Sequence, residues 1–305
     1  MGRDARTPTM GRGVALATCA LLMAACGGQK TSSAHFGKPR AAGDRTLIEV
    51  TFKSRGVTLA GTLSLPAGPG KHPALVWVHG GGTETRHLFS SAYTDLLDPR
   101  FAVFAYDKRG TGKSGGTCCP RDFDLLAADV VAAVDALRER DEVDKGAIGL
   151  FALSQGGWIA PLAATHSHAI GYEVIISGPA VSLGEEYLYS NLTGDDACTP
   201  MGNPPALISK LVAEEKPSMF DARPVLKRLD IPVLWLYGSL DQSQPVAKDL
   251  TVLRPLARSG KDFKIVIFPK ANHQLRVMKP GNCHGTSLAS DLQRTINDWL
   301  QGHAG

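Results

Sequence analysis

From Ala147 to Leu153 the chain carries no polar side chain, and the run stops on Ser154 with Gln155-Gly156-Gly157 directly behind it. Continuous apolar runs bounded by turn residues are what strands buried on both faces look like. The residues from Gln155 to Thr165 predict a helix. A buried strand that gives way to a helix across one serine has to turn sharply there. Ala152 two residues before the serine and Gly156 two after it leave room for strand and helix to pass closely. Strand, sharp turn and helix form the repeating unit of a parallel sheet covered by helices.

The rest of the chain repeats that unit. Ala74 to Val78 and Phe101 to Tyr106 are solid apolar runs, and Glu173 to Ser177, Ile231 to Tyr237 and Phe263 to Phe268 predict further strands. Between them, Leu126, Val130, Val134 and Leu137 recur at helical spacing over 123–138, and 287–300 predicts a closing amphipathic helix. Ahead of the first parallel strand, 47–52 and 57–63 alternate around Arg55-Gly56 in the manner of a β-hairpin. The expected fold class is α/β, with a mostly parallel central sheet, helices on both faces and a domain over 44–302. The rhythm breaks from Pro179 to about Arg228, where prolines, acids and short helical patches replace strands. This stretch predicts a small cap inserted over about 180–228, where it would shape the site beneath it.

The first residues stand apart from that sheet. Arg3, Arg6 and Arg12 precede an apolar run from Val14 to Ala25 that is too short to span a bilayer but has the proportions of a secretory signal. The run ends Leu22-Met23-Ala24-Ala25-Cys26, which resembles the bacterial lipobox, with Met23 where Leu is usual. Residues 1–25 are therefore expected to be removed as a lipoprotein signal and Cys26 to take the lipid. Residues 26–43, rich in Gly, Ser, Lys and Ala, are expected to form a flexible tether. The protein is expected to be exported and membrane-anchored, facing the periplasm or the cell exterior. The absence of a twin-arginine pair favours the Sec route. The formal net charge is +4, and the leader's three arginines against Asp4 supply half of it. The remaining body is close to neutral and shows no basic stripe, which argues against a nucleic-acid partner.

Export changes how the cysteines read. Cys118, Cys119, Cys198 and Cys283 would remain in the mature body, and an oxidising compartment favours disulfides among them. Adjacent cysteines rarely bridge each other, so Cys118 and Cys119 are expected to reach Cys198 and Cys283. No CxxC spacing supports a metal site, and neither a metal nor a cofactor is expected.

A serine hydroxyl is a weak nucleophile at neutral pH and needs a base in reach, itself oriented by an acid. With the order serine, acid, histidine along the chain, Asp241 in Gly238-Ser239-Leu240-Asp241 follows one strand and His273 in Ala271-Asn272-His273 follows the next. Both fall at strand carboxyl ends, on the edge that carries Ser154. His284 and Asp249 are the rivals. An acyl-transfer oxyanion needs two amide donors, and the helix start behind Ser154 supplies the N–H of Gln155. The loop His79-Gly80-Gly81-Gly82 after the first parallel strand supplies the other, expected from Gly81, with Gly82 the alternative. His79 itself is expected to anchor that loop. Gly112-Lys113-Ser114 has the tail of a phosphate-binding loop, but Asp107 stands where the first glycine would be. The segment is expected to be structural, with Arg109 bracing neighbouring loops. Trp158 is expected in the core, and His166 and His168 at the surface.

Taken together, His79 to Gly82, Asp107 to Ser114, the Ser154 turn, Tyr237-Gly238 with Asp241, and Asn272-His273 resemble the α/β-hydrolase superfamily from about Leu47 to Leu300. Within it the resemblance is to bacterial esterases, dienelactone-hydrolase-like enzymes and serine aminopeptidases. It implies a serine hydrolase with the triad Ser154, Asp241 and His273, acting on a small-molecule ester through an acyl-enzyme. A peptidase or amidase that holds an α-amine with acids from Glu185, Glu186, Asp195, Asp196, Glu214 and Glu215 is the first alternative. A non-catalytic lipoprotein that keeps the fold as a binding module is the second.

Overall fold

The structure is a computed structural model that describes residues 34–88, 93–195, 202–279 and 284–304 of the 305-residue chain. The expected signal at 1–25, Cys26, Asp196, Cys198 and Cys283 lie outside the described residues.

Strands β3 (Arg45–Ser54) and β4 (Val57–Pro66) form the expected hairpin. Arg55 and Gly56 both take positive φ, 45° and 82°, the turn geometry that matches strand twist. Ile48, Val50 and Phe52 are buried while Glu49, Thr51 and Lys53 between them are exposed, so one face of the hairpin meets the core. Six strands continue the sheet in parallel: β5 (His72–Val78), β6 (Ala102–Tyr106), β7 (Val143–Leu153), β8 (Tyr172–Ile176), β9 (Val233–Gly238) and β10 (Phe263–Phe268). Their order is β6-β5-β7-β8-β9-β10, with β4 antiparallel on the outer side of β6.

Helices cover both faces. Helices α1 (Phe123–Leu137) and α2 (Gly156–His166) pack Val130, Val134, Ile159 and Ala163 against Val76, Val78, Leu150 and Ala152. On the other face Trp77, Phe151 and Leu153 meet Leu292, Ile296 and Leu300 of the closing helix (Leu292–His303). That helix starts later than expected because Ser287 and Ala289 instead exchange backbone hydrogen bonds with Val277 and Leu275. Between β8 and β9 lie α3 (Leu183–Thr193), α4 (Pro205–Glu214) and α5 (Arg223–Arg228). After β9 comes α6 (Val246–Arg258), so the closing helix is α7. Among the described residues no helix is long and apolar enough to cross a membrane.

The tether expectation for 26–43 fails over its second half. Ala34–Phe36 (β1) pairs antiparallel with Val50 to Phe52, and Arg40–Ala42 (β2) pairs with Arg45 to Leu47. The outer edge of β3 would otherwise leave a row of backbone groups unpaired, and this segment satisfies them. Phe36 packs against the core, with the Arg140 guanidinium 4.9 Å from its ring centre. Composition hid these strands because each is only three residues long and mostly polar or small. Residues 26–33 lie outside the described part.

Because β6 and β7 flank β5 on opposite sides, the chain steps from β5 out to β6 and then crosses back over to β7. A crevice opens at the carboxyl ends of β5 and β7, the general binding position of open α/β sheets. The loops after β5, β7, β9 and β10 all emerge on that edge.

Candidate active site

Ser154 follows β7 directly and takes φ +52°, the left-handed region that a non-glycine residue rarely adopts. Its amide donates to Ile176 O at 2.9 Å, and its carbonyl accepts from the Gly157 amide at 2.7 Å, closing the first turn of α2. The small neighbours are sterically required. A Cβ on Gly156 would lie 2.8 Å from Val78 O, and one on Gly157 would lie 2.5 Å from Gly178 Cα. Ala152 fits, though its own Cβ would be 3.1 Å from a Cβ on Gly156. Trp158 is buried and donates its indole N–H to Val181 O at 2.9 Å, so it belongs to the core as expected.

Among the described residues neither the Gly81 amide nor the Gln155 amide has a hydrogen-bond acceptor. Both residues border a cavity of about 450 Å³ together with Ser154 and His273. The residues that hold Gly81 in place went unread in the sequence. Glu84 accepts from the Gly80 amide at 2.8 Å, and a Cβ on Gly80 would come 2.7 Å from that carboxylate. Lys108, 2% exposed, donates to Gly80 O at 2.6 Å and to Gln155 Oε1 at 2.8 Å. Its position two residues after the buried strand β6 is the one signal that could have marked it. His79 anchors the loop as expected, its Nε2–H donating to Tyr106 O. Burial pushes the imidazole down to about 3, which unsuits it as a base.

Asp241 and His273 meet across two loops. His273 Nδ1 lies 2.9 Å from Asp241 Oδ2 and 3.1 Å from Oδ1. A carboxylate only accepts, so Nδ1 carries a proton, and in the neutral imidazole the lone pair is then on Nε2. Asp241 Oδ1 also accepts from the Ser243 and Gln244 amides, each at 2.8 Å. Gly238 lets the two loops approach, since a Cβ there would lie 2.3 Å from Asn272 O. The side chains of Asp241 and His273 are 0% and 12% exposed, so the acid is sealed and the base reaches the crevice. Neither rival takes part. His284 is exposed, and Asp249 is buried with Oδ1 on the Ala180 and Val181 amides.

Ser154, Gly81 and His273 also border a second cavity, of about 490 Å³, on the side of Leu88, Tyr93 and Leu288. On the α3 side the lining includes Glu186, Tyr187, Asp195 and Arg121, whose guanidinium lies 5.2 Å from the Tyr187 ring centre. Burial, and then the charge of Asp195, pushes the Glu186 carboxyl up to about 8. Of the acids considered for an α-amine, only Glu186 and Asp195 border this cavity among the described residues. Glu185 points the other way. Burial opposes its charge, but bonds from Arg223 and Lys248, both 2.7 Å, hold its carboxyl down at about 2. Glu214 and Glu215 sit at the far end of α4.

The segment 107–114 is a structural loop. Asp107 accepts from Arg86 Nη2 at 2.9 Å and from the Lys113 amide at 2.8 Å, where a phosphate cradle would need free donors. Arg109 pairs with buried Asp129 and donates to Ser54 O, the bracing expected of it. The cysteine expectation is corrected: Cys118 and Cys119 are bonded to each other. Cys119 borders the cavity.

Comparison with known proteins bears on the fold and on the class of enzyme. Residues 70–201 match the hydrolase family described as serine aminopeptidase, S33. Esterase EstD of Thermotoga maritima is 27% identical over 256 residues, which cover 73% of this chain and 60% of that esterase. The 3-oxoadipate enol-lactonase 2 of Acinetobacter baylyi is 26% identical over 210 residues, covering 59% of this chain and 76% of that enzyme. Among solved structures, an esterase of Pyrococcus furiosus superposes with a TM-score of 0.64 at 18% identity, covering 88% of this chain and 98% of its own.

Proposed function

We propose that this member of the α/β-hydrolase superfamily is a serine hydrolase that cleaves carboxylic esters through an acyl-enzyme. Its sheet order and structural likeness are those of the α/β-hydrolase fold. The observation that carries the proposal is the convergence at one sheet edge. There the strained Ser154, His273 backed by Asp241, and two amides that have no acceptor among the described residues border one cavity. Ser154 Oγ attacks the ester carbonyl carbon while His273 Nε2 takes the hydroxyl proton. Asp241 holds the imidazole by Nδ1 and stabilises the positive charge it gains. The negative oxygen of the tetrahedral intermediate is received by the amides of Gly81 and Gln155. As the bond to the leaving alcohol breaks, His273 returns the proton to that oxygen. Water then attacks the acyl-enzyme with His273 as base again, releasing the acid and restoring Ser154.

Similarity to an esterase and an enol-lactonase supports an ester substrate. A second reading, cleavage of an aminoacyl amide, is favoured by Glu186 and Asp195 on the cavity wall and by the description of the matching family. A matched panel of acyl p-nitrophenyl esters and aminoacyl anilides separates the two. Turnover of the esters with kcat/KM well above that of the anilides is expected, and the reverse preference would overturn the ester assignment. Ser154→Ala should lower kcat on the best substrate on the order of 10⁶-fold. Turnover near wild type by that variant would remove the serine mechanism altogether. Export on a lipid at Cys26 belongs to the same proposal and rests on the leader sequence alone.

A further inference from the structure

We propose that Lys108 is a positioning residue for acyl transfer, its buried ammonium tying the Gly80 carbonyl to the Gln155 side chain and so aiming both oxyanion donors. The inference rests on the serine-hydrolase reading of Ser154. The Gly80 carbonyl and the Gly81 amide belong to one peptide plane, and in a trans peptide they point in opposite directions. A cation 2.6 Å behind the carbonyl therefore fixes the direction of the amide and polarises it toward the crevice. The plane before it is held as well, because the Gly80 amide donates to Glu84 Oε2 at 2.8 Å. The same ammonium donates to Gln155 Oε1 at 2.8 Å, and the amide of Gln155 is the other candidate donor. One buried group thus bridges the loop after β5 and the start of α2, the two segments that have to stay in register for an oxyanion to find both amides.

The surroundings suit a charge that works in place. Lys108 itself is held by its amide on Glu84 O at 3.2 Å, and Thr111 bonds both Glu84 O and Lys108 O. Burial pushes the ammonium down to about 8, partly offset by the Glu84 carboxylate. The other charged neighbours are committed elsewhere: Asp107 to Arg86, and Arg109 to Asp129. His79 on the β5 loop is held neutral by burial, and α2 offers only the uncharged Gln155. Loss of the Lys108 proton would weaken both bonds while leaving the loops in place.

The test uses the full-length protein and a p-nitrophenyl ester. Lys108→Met keeps the length of the side chain and removes the charge. It should lower kcat by about 10- to 100-fold with KM little changed, less than deletion of a direct oxyanion donor costs. Affinity for a trifluoromethyl ketone analogue of the tetrahedral intermediate should fall by the same factor as kcat/KM. A wild-type kcat in Lys108→Met, or a loss confined to KM, would overturn the inference while Ser154→Ala still showed the serine mechanism intact. If Lys108→Met does not fold, the wild type decides. Its kcat should decline several-fold as the pH rises through about 8, and the decline should persist in Glu186→Gln, which removes a carboxyl that titrates in the same range. A kcat that stays level there would contradict the role. An inactive Ser154→Ala beside an unaffected Lys108→Met and a flat alkaline profile would discard this inference alone, and an inactive wild type would discard both.

Discussion

At Asp241 only one carboxylate oxygen is held by backbone amides, and that difference predicts what one atom change does. Oδ1 is held by the Ser243 and Gln244 amides, and Oδ2 faces His273 Nδ1 at 2.9 Å. In Asp241→Asn the backbone amides would keep the oxygen, so the new NH2 would turn toward Nδ1. The imidazole would then have to accept there and carry its proton on Nε2, the atom that must receive the serine proton. A loss of about 10⁴-fold in kcat on the ester is expected, with little change in melting temperature. A loss below about tenfold, measured on folded protein, would show that Asp241 does not set the tautomer. Ser154 bears its own cost: a left-handed φ disfavours a non-glycine residue by on the order of 1–2 kcal/mol. The bond to Ile176 O and the clearance left by Gly156 and Gly157 keep it there. The placement of Ser154, Asp241 and His273 on one edge was legible in the sequence because each follows an apolar run at once or within a few residues, and parallel strands put all such ends on one edge. Lys108 was not legible, because its partners are a backbone carbonyl and a side chain from two other loops.

Strand β8 carries a residue that works against the fold. Glu173 is fully buried between β7 and β9, and among the described residues neither carboxylate oxygen has a hydrogen-bond partner. Burial pushes its carboxyl well above the ordinary carboxylate range. Below the unfolded value both states hold the proton and the folded state loses nothing. As pH rises above it, the unfolded chain releases the proton and the folded chain does not, so stability falls with rising pH. Glu173→Leu should therefore raise stability at neutral pH by about 1–3 kcal/mol, with a gain that shrinks toward acid pH, as followed by denaturant melts. A destabilised Glu173→Leu at neutral pH would show that the carboxyl has a partner in solution. The element scale also shows what sequence pattern alone leaves open. Glu185 and Glu186 are neighbours on α3, yet one is clamped by Arg223 and Lys248 while the other borders the cavity. Which acid faces which side depends on how α3 is rotated over the sheet. That is set by the capping box of Ser182 and Glu185 and by the Tyr189 hydroxyl on Asp241 O at 2.7 Å.

Across the whole molecule, topology does most of the positioning. The order β6-β5-β7 opens the crevice, and parallel β7, β9 and β10 deliver Ser154, Asp241 and His273 to it. Six parallel strands and the hairpin were legible because buried strands are solidly apolar and the hairpin alternates. The edge strands β1 and β2 were not, because what stabilises them is the open side of β3 and not their own composition. The vicinal pair Cys118–Cys119 was not expected because adjacent cysteines rarely bridge each other, which argued for distant partners. Nucleophilic attack by Ser154 is the step on which the proposed function depends. Reaction of the native protein with a fluorophosphonate, followed by intact-mass and peptide mass spectrometry, tests it most directly. One adduct per chain on the peptide containing Ser154, absent from Ser154→Ala and slowed in Asp241→Asn, is the expected result. Labelling of another serine, or no labelling of folded wild-type protein, would contradict it.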